Sequence, residues 1–370
     1  MNRALRVIFA GGGTGGHLFP GIAVAEALLQ LRPDSRVSFV GSGNRIEARV
    51  VPERGYEFDA VWISGLRRSF SFATALLPLK LFVSLIQSWN ILRRRKPHVV
   101  VGTGGFASGP LLYVAAKTGR RTLIHEQNEY PGVTTRKLAP LANEVHVTFP
   151  SSARMLPDAR RIVESGNPVR LSLQRHDAGD ARVHFGLHPA RRTLFVFGGS
   201  LGASAVNRAL RSLVPRLVRE EYQLIWQTGA RDIEEYRSLG ALYQGQVVVR
   251  PFIDEMDLAY SAADLVLCRA GATSVAELTA LGMPAILVPY PQAAADHQYK
   301  NAAAVAAQGA ARVLRDSELD RLEAELFALL DDDKALERMA GASAKLGRPG
   351  AAFDIARAVI RLAEDQEENR

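Results

Sequence analysis

Short apolar runs that end in glycine or polar residues alternate with longer helical patterns along almost the whole chain. Five runs precede residue 166 and five follow it: LRVIFA, RVSFVG, HVVVGT, RTLIHE and EVHVTF, then TLFVFGG, YQLIWQTG, QVVVRPF, DLVLCRAG and PAILVPY. Strands that alternate with helices predict a parallel α/β sheet. At 370 residues the chain exceeds the size at which one core keeps growing, so we expect two domains.

The strand and glycine-loop pattern appears twice. VIFAGGGTGGH opens the chain, and LFVFGGSLGASAVN opens a second series at Leu194. Gly166 and Pro168 break local structure after the first series. We therefore expect a first Rossmann-like domain over residues 1–166, a second over 167–347 and a last helix, 350–365, that packs back on the first domain. The final residues, AEDQEENR, are expected to fray.

The first glycine loop, GGGTGGH at residues 11–17, has the form of a phosphate-binding turn between a strand and a helix. Its G-x-G-x-x-G spacing is typical of dinucleotide-binding proteins. However, the second strand ends in GSGNR, without the acidic residue that would bind a ribose. The lysine of a P-loop is also missing, because His17 follows the last glycine. The loop therefore predicts a phosphate-bearing ligand outside both classes.

Further glycine loops follow other strands, at GTGGFASGP (102–110), at GGSLGA (198–203) and at Arg269–Gly271. Ligands of open α/β sheets collect at the carboxyl ends of the strands, so two such domains facing each other would border a cleft. His17, at the mouth of the first loop, is a candidate base, since imidazole exchanges protons near neutral pH. The alternative is that His17 only caps the loop.

Residues 269–302 hold the most specific polar pattern. Glu277 follows Ser274 at capping-box spacing, and Thr273 is a second candidate cap, so one interpretation of Glu277 is purely structural. The functional interpretation is a carboxylate that accepts hydrogen bonds from a sugar diol. Residues 296–298, Asp-His-Gln, form a second polar cluster after the PAILVPY strand. Together they favour a site for a sugar and a phosphate without a metal.

Composition excludes several classes of protein and site. The net charge of +8 permits an anionic partner, but no nucleic-acid motif with interleaved aromatic residues occurs, so we expect no nucleic acid. Cys268, the one cysteine, rules out an internal disulfide and is expected to be a buried, inert thiol. The acidic run Asp331–Asp333 lies between two helices and is interpreted as a helix cap, not a metal site. The apolar run at the start of the sequence is too short for a signal peptide, so we expect a cytoplasmic protein.

The segment Leu76–Arg95, LLPLKLFVSLIQSWNILRRR, is predicted to form an amphipathic helix. It is too polar to span a bilayer, so it either packs on a sheet or lies on an anionic membrane surface. Basic residues flank it, including Arg67 and Arg68. The proposed membrane patch consists of Leu79, Phe82, Val83, Ile86, Trp89, Arg93, Arg94 and Arg95.

The motifs GGGTGGH, GTGGFASGP, HEQN, GNPVR, GGSLGA, PFIDEM and RAGATSVAELTALGMP with DHQYKNA occur in order from Gly11 to about Ala302. In these the chain resembles the MurG family, the bacterial N-acetylglucosaminyltransferases of peptidoglycan synthesis. The resemblance implies a GT-B fold and inverting transfer of N-acetylglucosamine from UDP-N-acetylglucosamine to the muramoyl 4-hydroxyl of lipid I, giving lipid II. It also implies a peripheral location on the cytoplasmic face of the bacterial plasma membrane, cell-wall assembly proteins as candidate partners, no cofactor and no metal.

Carried over residue by residue, the resemblance implies a donor site and a catalytic pair. The donor site would comprise Thr14, Gly15, Gly16, Asn128, Arg170, Ser200, Ile253, Ala272, Thr273, Ser274, Val275, Ala276, Glu277 and Gln298. Glu277 would hold the ribose, Ser200 would meet the diphosphate and the Ile253 backbone would frame the uracil. His17 is the candidate base, with Glu126 as its alternative or its orienting partner.

Three other functions remain open at this point. A UDP-N-acetylglucosamine 2-epimerase or another lipid-linked glycosyltransferase would use a similar site, and the epimerase has no need of an apolar basic patch. A catalytically silent module that tethers to membranes and senses a nucleotide sugar is the candidate from outside the enzymes. Release of UDP distinguishes the transferases from the silent module.

Overall fold

The chain divides into two α/β units. The structure, a computed structural model, describes residues 4–64, 76–199 and 202–368. Unit 1 comprises Met1–Leu171 and Arg348–Arg370, and unit 2 comprises Ser172–Gly347. Each unit has its own sheet, whose neighbouring described strands all pair in parallel. The predicted fold class, two α/β domains with parallel sheets, is therefore confirmed.

Unit 1 is built on a seven-stranded sheet in the order β3-β2-β1-β4-β5-β6-β7. The strands are β1 (Arg6–Ala10), β2 (Arg36–Ser42), β3 (Glu57–Val61), β4 (Val99–Gly102), β5 (Arg121–Glu126), β6 (Glu144–Val147) and β7 (Ile162–Glu164). The helices are Gly15–Leu31, Ile46–Glu53, Leu77–Arg95, Ser108–Lys117, Val133–Leu138, Pro150–Ala153 and Ala351–Glu368.

Both faces of this sheet are covered, as parallel sheets require. Alternate residues of β1 point to opposite faces, so Val7 and Phe9 join one apolar cluster and Ile8 and Ala10 join the other. The first cluster includes the helix Gly15–Leu31 and the C-terminal helix, whereas the second includes residues of Leu77–Arg95 and Ser108–Lys117. β1 is therefore buried from both sides, which fixes the loop that follows it.

Unit 2 has a six-stranded sheet in the order β10-β9-β8-β11-β12-β13. Its strands are β8 (Thr193–Phe197), β9 (Gln223–Gln227), β10 (Val247–Arg250), β11 (Leu265–Cys268), β12 (Ala285–Leu287) and β13 (Ala311–Val313). Its α-helices are Ala178–His184, Ser204–Arg211, Val214–Arg219, Ile233–Leu242, Met256–Ala262, Ala272–Leu281, His297–Ala306, Leu322–Leu330 and Asp333–Leu346, with 3-10 turns at Ala294–Asp296 and Asp316–Arg321.

The last helix, Ala351–Glu368, is part of unit 1. It packs against the helix Gly15–Leu31, and Ile355, Val359 and Leu362 are buried in the shared cluster. The helix continues to Glu368, so the expectation that the chain frays from Ala363 is wrong. The helix persists because its apolar side keeps contacts along unit 1, and Gln366 near its end is only 9% exposed.

Two smaller predictions are confirmed in unit 2. Asp332 is the N-cap of the helix Asp333–Leu346, and its carboxylate accepts a hydrogen bond from the Ala335 amide at 2.9 Å. Cys268 is fully buried in β11, and this burial raises the pKa of its thiol. Among the residues that the structure describes, no group of three or more His, Cys, Asp and Glu side chains is arranged to hold a metal ion.

A buried carboxylate connects the C-terminal helix to β6. Glu144 is 3% exposed and accepts hydrogen bonds from Arg361 at 2.7 and 2.8 Å and from His146 at 3.2 Å, with Arg161 at 3.3 Å. Burial alone would raise the pKa of Glu144, but the hydrogen bonds from His146 and Arg361 and the two arginine charges outweigh it and lower the pKa from 4.5 to about 2. The ionised form of Glu144 therefore stabilises the folded unit.

We expect Arg361→Ala to lower the stability of unit 1 by about 2 kcal/mol, because it removes hydrogen bonds to a buried charge. For a unit of this size that corresponds to about 6 °C in the midpoint of thermal unfolding. The depressed pKa means that the stabilisation is complete above pH 4.5 and is lost as the pH falls towards 2. The difference between wild type and variant should therefore shrink over that range.

The matched control is Arg357→Ala on the same helix. Within the described part of the chain Arg357 pairs only with Asp354, three residues away, and both side chains are 62% exposed. Such surface pairs contribute little, so the midpoint should move by less than about 2 °C. Equal shifts for the two variants would contradict the role assigned to the Glu144 cluster.

Candidate functional site

The candidate site of unit 1 lies at the point where the strand order reverses. β1 and β4 are neighbours, and the chain leaves β1 towards β2 on one side and β4 towards β5 on the other. Ligands of open α/β sheets bind at the carboxyl ends of the strands at such a point. The loops that follow β1 and β4 are the glycine loops at residues 11–16 and 103–107.

These two loops touch at their backbones, which requires glycine. A Cβ on Gly105, where φ is +80°, would lie 2.3 Å from the carbonyl oxygen of Gly12. A Cβ on Gly104, where φ is +95°, would lie 2.6 Å from Nδ1 of His17. Both the positive φ and the contact exclude a larger residue. The second glycine loop therefore serves to close against the first one and against His17.

Glu47 fixes the first glycine loop through hydrogen bonds to backbone amides, and sequence reasoning missed it. Its carboxylate is 1% exposed and accepts hydrogen bonds from the amides of Gly13 and Ser42, both at 2.9 Å. The Gly13 amide is thus occupied by a carboxylate and is not available to an anionic ligand. The amides of Gly15 and Gly16 precede the first backbone hydrogen bonds of the helix Gly15–Leu31, which run from His17 and Leu18 to the carbonyl oxygen of Thr14, so they are the better part of this loop for an anion. The signal in the sequence was an acidic residue about one helical turn after the end of a predicted strand.

His17 lies in the first turn of that helix and is half-buried. Its Nδ1 atom is 3.1 Å from Oε1 of Gln127, which follows β5. Gln127 is 1% exposed, and its amide nitrogen also donates to the carbonyl oxygen of Thr103 at 2.8 Å. The ring of His17 is therefore held from the protein side by the HEQN segment. Sequence reasoning included this segment but overlooked its glutamine.

Glu126 forms its hydrogen bonds with the loop that follows β5 and not with His17. Its carboxylate is 3% exposed and accepts hydrogen bonds from the hydroxyl of Thr135 at 2.6 Å and from the amides of Gly132 at 2.9 Å and Asn128 at 3.1 Å. These bonds hold residues 127–132 and the start of the helix Val133–Leu138. The expectation that Glu126 orients His17 is corrected, since Gln127 makes that contact. A carboxylate with its lone pairs occupied is also a poor base.

The remaining predicted residues of unit 1 differ in their surroundings. Thr14 is the exposed N-cap of the helix Gly15–Leu31 and makes no capping bond with its side chain, and Gly15 and Gly16 form the first turn. Asn128 donates its side-chain amide to Glu126 at 3.3 Å. Arg170 is exposed near the end of the first stretch of unit 1. The structure thus brings together residues 14–17 at one helix N-terminus.

Unit 2 repeats the arrangement at the point between β8 and β11. A Cβ on Gly198 would lie 2.3 Å from the amide nitrogen of Ala203, and one on Gly202, where φ is +76°, would lie 2.3 Å from the carbonyl oxygen of Thr228. Gly198 and Ala203 therefore approach each other closely, and Gly202 lies against the backbone that follows β9. Ser200, the residue predicted to meet the diphosphate, lies outside the described residues.

The helix Ala272–Leu281 starts immediately beyond β11 and contains the predicted donor residues Ala272, Thr273, Ser274, Val275, Ala276 and Glu277. Its N-cap is Gly271, and no side chain caps it, so the capping-box interpretation of Ser274 and Glu277 is wrong. Glu277 is 3% exposed and accepts a hydrogen bond from the hydroxyl of Tyr260 at 3.0 Å. The hydroxyl oxygen of Thr273 is shielded from solvent and has no hydrogen-bond partner among the described residues. An unpaired hydroxyl in the first turn is consistent with a polar ligand at this helix end.

Gln227, a third residue missed from the sequence, links two loops of unit 2. Its Oε1 atom accepts a hydrogen bond from the amide of Ile253 at 2.9 Å, and its amide nitrogen donates to the carbonyl oxygen of Gly199 at 3.3 Å. The Ile253 amide is thereby occupied. If the backbone of Ile253 binds a nucleobase, as predicted, it does so through its carbonyl oxygen. Ile253 itself is 1% exposed.

The second polar cluster of unit 2 surrounds the start of the helix His297–Ala306. Oε1 of Gln298 accepts a hydrogen bond from the amide of Tyr290 at 2.9 Å, which ties the helix to the loop after β12. Asp296 pairs with Arg315 at 3.2 Å, and Nδ1 of His297 lies 2.7 Å from the carbonyl oxygen of Ala294. Gln298 is therefore a loop-holding residue whose side-chain NH2 is the group that remains for a ligand.

The predicted membrane patch lies on the helix Leu77–Arg95. Leu79, Phe82, Ile86 and Trp89 are 44 to 62% exposed, and Val83 is half-buried. The buried side of the helix carries Ser84, Ser88, Ile91 and Leu92 instead. The alternative, in which the broad apolar side packs on the sheet, is therefore wrong. Among the described residues no helix has the length and apolar content needed to cross a bilayer.

The arginines at the end of this helix differ in how free their charges are. Arg93 lies over the ring of Trp89 at 4.5 Å, next to the apolar residues. Arg94 and Arg95 both pair with Asp59 on β3, and Arg95 also pairs with Glu57. Much of their charge is thereby balanced, so Arg93 is the arginine of this run best placed to add to the patch. Arg67 and Arg68 lie outside the described residues.

Comparison with known proteins gives matches over both units. The family model of the glycosyltransferase family 28 N-terminal domain matches residues 7–147, and that of the C-terminal domain matches residues 193–355. A protein of Chlorobium limicola is 44% identical over 97% of this chain and 100% of its own length. It is named UDP-N-acetylglucosamine–N-acetylmuramyl-(pentapeptide) pyrophosphoryl-undecaprenol N-acetylglucosamine transferase.

Two solved structures share the fold. Acinetobacter baumannii MurG is similar with a TM-score of 0.75 and 29% identity, covering 96% of this chain and 99% of that one. A UDP-N-acetylglucosamine 2-epimerase of Listeria monocytogenes matches with a TM-score of 0.66 and 14% identity over 97% and 96% of the two chains. The fold alone thus does not separate the transferase from the epimerase. The sequence matches do: with both domain models and near full-length relatives above 40% identity, the chain belongs to glycosyltransferase family 28.

Proposed function

We propose that this protein transfers N-acetylglucosamine from UDP-N-acetylglucosamine to the muramoyl 4-hydroxyl of N-acetylmuramyl-(pentapeptide) pyrophosphoryl-undecaprenol, which is lipid I, and so forms lipid II and UDP. Relatives that bear this activity in their names match at 41 to 45% identity over at least 97% of the chain. The structural observation that carries the proposal is the imidazole of His17, held at the strand-order reversal beside a helix N-terminus.

In this proposal unit 1 binds the acceptor and supplies the base. The acceptor hydroxyl oxygen forms a bond to the anomeric carbon as the bond from that carbon to the diphosphate oxygen breaks on the opposite side, which inverts the configuration. The hydroxyl proton passes to His17. Thr14, Gly15 and Gly16 present a helix N-terminus to the diphosphate of either substrate.

Unit 2 binds the donor. The N-terminus of the helix Ala272–Leu281 stabilises the negative charge that develops on the leaving diphosphate. Thr273 supplies a hydroxyl with no hydrogen-bond partner among the described residues. Glu277, which accepts a hydrogen bond from Tyr260, binds the ribose hydroxyls with its carboxylate. Because the fixed dipoles of this helix stabilise the charge that a metal cation would otherwise stabilise, we propose that transfer needs no metal.

The membrane patch brings unit 1 to the lipid acceptor at the cytoplasmic face of the plasma membrane. Exposed large apolar side chains beside a cation suit the boundary between acyl chains and anionic head groups. Four such side chains on one helix, with Arg93 against Trp89, support a peripheral attachment. Proteins of cell-wall assembly are the candidate partners at that surface.

The transfer reaction can be tested directly with the whole protein, UDP-N-acetylglucosamine labelled in the sugar and a short-chain lipid I analogue, in excess chelator. We expect label in the lipid product and one UDP released for each sugar transferred. Release of UDP without the acceptor, or formation of the 2-epimer, would instead identify an epimerase. Donor binding without turnover in the presence of the acceptor would identify a silent module.

Variants of His17 and Glu277 should separate chemistry from donor binding. His17→Ala is expected to lower kcat on the order of 100-fold or more with the donor KM little changed, because the proton acceptor is lost. Glu277→Gln is expected to raise the donor KM about 10-fold with a smaller effect on kcat, because a charge-assisted hydrogen bond is lost. A donor KM that rises equally in both variants would contradict this division of roles.

The patch can be tested by vesicle sedimentation with 30% anionic lipid. We expect Phe82→Ser to weaken binding about 10-fold, because a phenylalanine ring is no longer buried in lipid. Leu242→Ser is the matched control, since Leu242 is 68% exposed on unit 2 and lies outside the patch. Equal binding by the two variants would remove the patch from membrane attachment.

A further inference from the structure

A chain of hydrogen bonds runs through unit 1 from the backbone of Gly166 to the imidazole of His17. Nε2 of His125 lies 3.0 Å from the carbonyl oxygen of Gly166, and Nδ1 of His125 lies 3.0 Å from Nε2 of Gln127. Oε1 of Gln127 lies 3.1 Å from Nδ1 of His17. His125 and Gln127 are each 1% exposed, so solvent does not compete for these bonds.

The direction of the first bond follows from the carbonyl of Gly166, which can only accept. Nε2 of His125 must therefore carry hydrogen. Burial, the largest influence, lowers the pKa of His125 to about 3, although the bond to Gly166 opposes it, so this ring is neutral near pH 7. A neutral imidazole with hydrogen on Nε2 has a lone pair on Nδ1, and that atom must accept a hydrogen bond from Gln127.

The amide of Gln127 then has one permitted orientation. Its NH2 group faces three acceptors: the carbonyl oxygen of Thr103 at 2.8 Å, and Nδ1 and the carbonyl oxygen of His125 at 3.0 and 3.2 Å. Rotating the amide by 180° would place its oxygen against these acceptors in a buried site, which is costly. The three acceptors therefore fix the amide oxygen of Gln127 towards His17.

We propose that Gln127 is a positioning residue that holds neutral His17 in the tautomer with hydrogen on Nδ1, so that Nε2 takes the proton of the acceptor hydroxyl. An amide oxygen can only accept, so Nδ1 of His17 must donate to it. Among the described residues Nε2 of His17 has no hydrogen-bond partner. This inference rests on the proposed role of His17 as the base.

The surroundings of the bond keep other groups away from it. Gly104 closes over the contact, because a Cβ there would lie 2.6 Å from Nδ1 of His17 and 3.3 Å from Oε1 of Gln127. The second glycine loop thereby excludes any side chain at its position 104 from competing for either atom. The identity of the ring nitrogen that reacts is thus determined by buried groups before any substrate binds.

The tautomer can be measured without substrate in the full chain labelled with 15N-histidine. Long-range 1H–15N spectra distinguish the two neutral tautomers, and the His17→Ala spectrum assigns the His17 signals. We expect hydrogen on Nδ1 of His17 in the wild type at a pH where the ring is neutral, and a shift towards the Nε2-protonated form in Gln127→Met. Hydrogen on Nε2 in the wild-type protein would overturn the proposal, whatever the outcome of the activity assay.

Kinetics provide a second test through a double-mutant cycle. We expect Gln127→Met to lower kcat by about 10- to 100-fold with the donor KM within 2-fold, because the base is less often in its reactive form. In the His17→Ala background the same substitution should change kcat by less than about 2-fold, since Gln127 acts only through His17. An equal loss of kcat in both backgrounds would mean that Gln127 serves only the stability of the fold.

The matched control is Gln223→Met. Gln223 is a fully buried glutamine of unit 2 whose amide bonds to the backbone of His188 at 2.6 and 2.9 Å. It should lower the thermal midpoint, as Gln127→Met does, and leave kcat within 2-fold of the wild type. If wild type fails to transfer sugar, the proposed function falls, while the spectrum still decides the tautomer.

Discussion

The contact between two backbones at the β1–β4 reversal is the constraint on which the site of unit 1 depends. With Gly105 against the carbonyl of Gly12, the two loops lie at van der Waals distance, and no side chain can enter between them. That closeness places the first turn of the helix Gly15–Leu31 beside the ends of β4 and β5. The glycines thus set the distance at which His17 meets Gln127.

Buried polar side chains then fix each loop, and their pairing explains which of them remain available for chemistry. Glu47 takes the Gly13 and Ser42 amides, Glu126 takes the turn after β5, and Gln227 bridges two loops of unit 2. Each is almost fully buried and would destabilise its loop if unpaired. Acidic residues in a motif can therefore be part of the framework of a site, while a neutral amide contacts the candidate base, His17.

The central strands were predictable from sequence because burial on both faces gives continuous apolar runs. The three strands that prediction missed, β3, β7 and β13, are all at sheet edges and are partly exposed, so their apolar pattern is weak. His17 and Glu277 were identifiable from their motifs, whereas the partners Gln127, Glu47 and Tyr260 become evident only when the fold brings distant segments together. Helical periodicity found the apolar side of Leu77–Arg95 but not its direction, since periodicity does not say which side meets the protein.

The direction of that helix has a consequence for how its surface can change. Ser84 and Ser88 turn their hydroxyls back onto carbonyls of the helix itself, at 2.8 and 2.7 Å, and so offer unit 1 a compact side that needs no polar partner. The helix is held through these small residues together with Ile91 and Leu92 near its end. One side of the helix Leu77–Arg95 therefore packs against unit 1, and the other side is exposed. Substitutions of the outer residues therefore change the size and hydrophobicity of the exposed side at little cost to the packing of the sheet beneath.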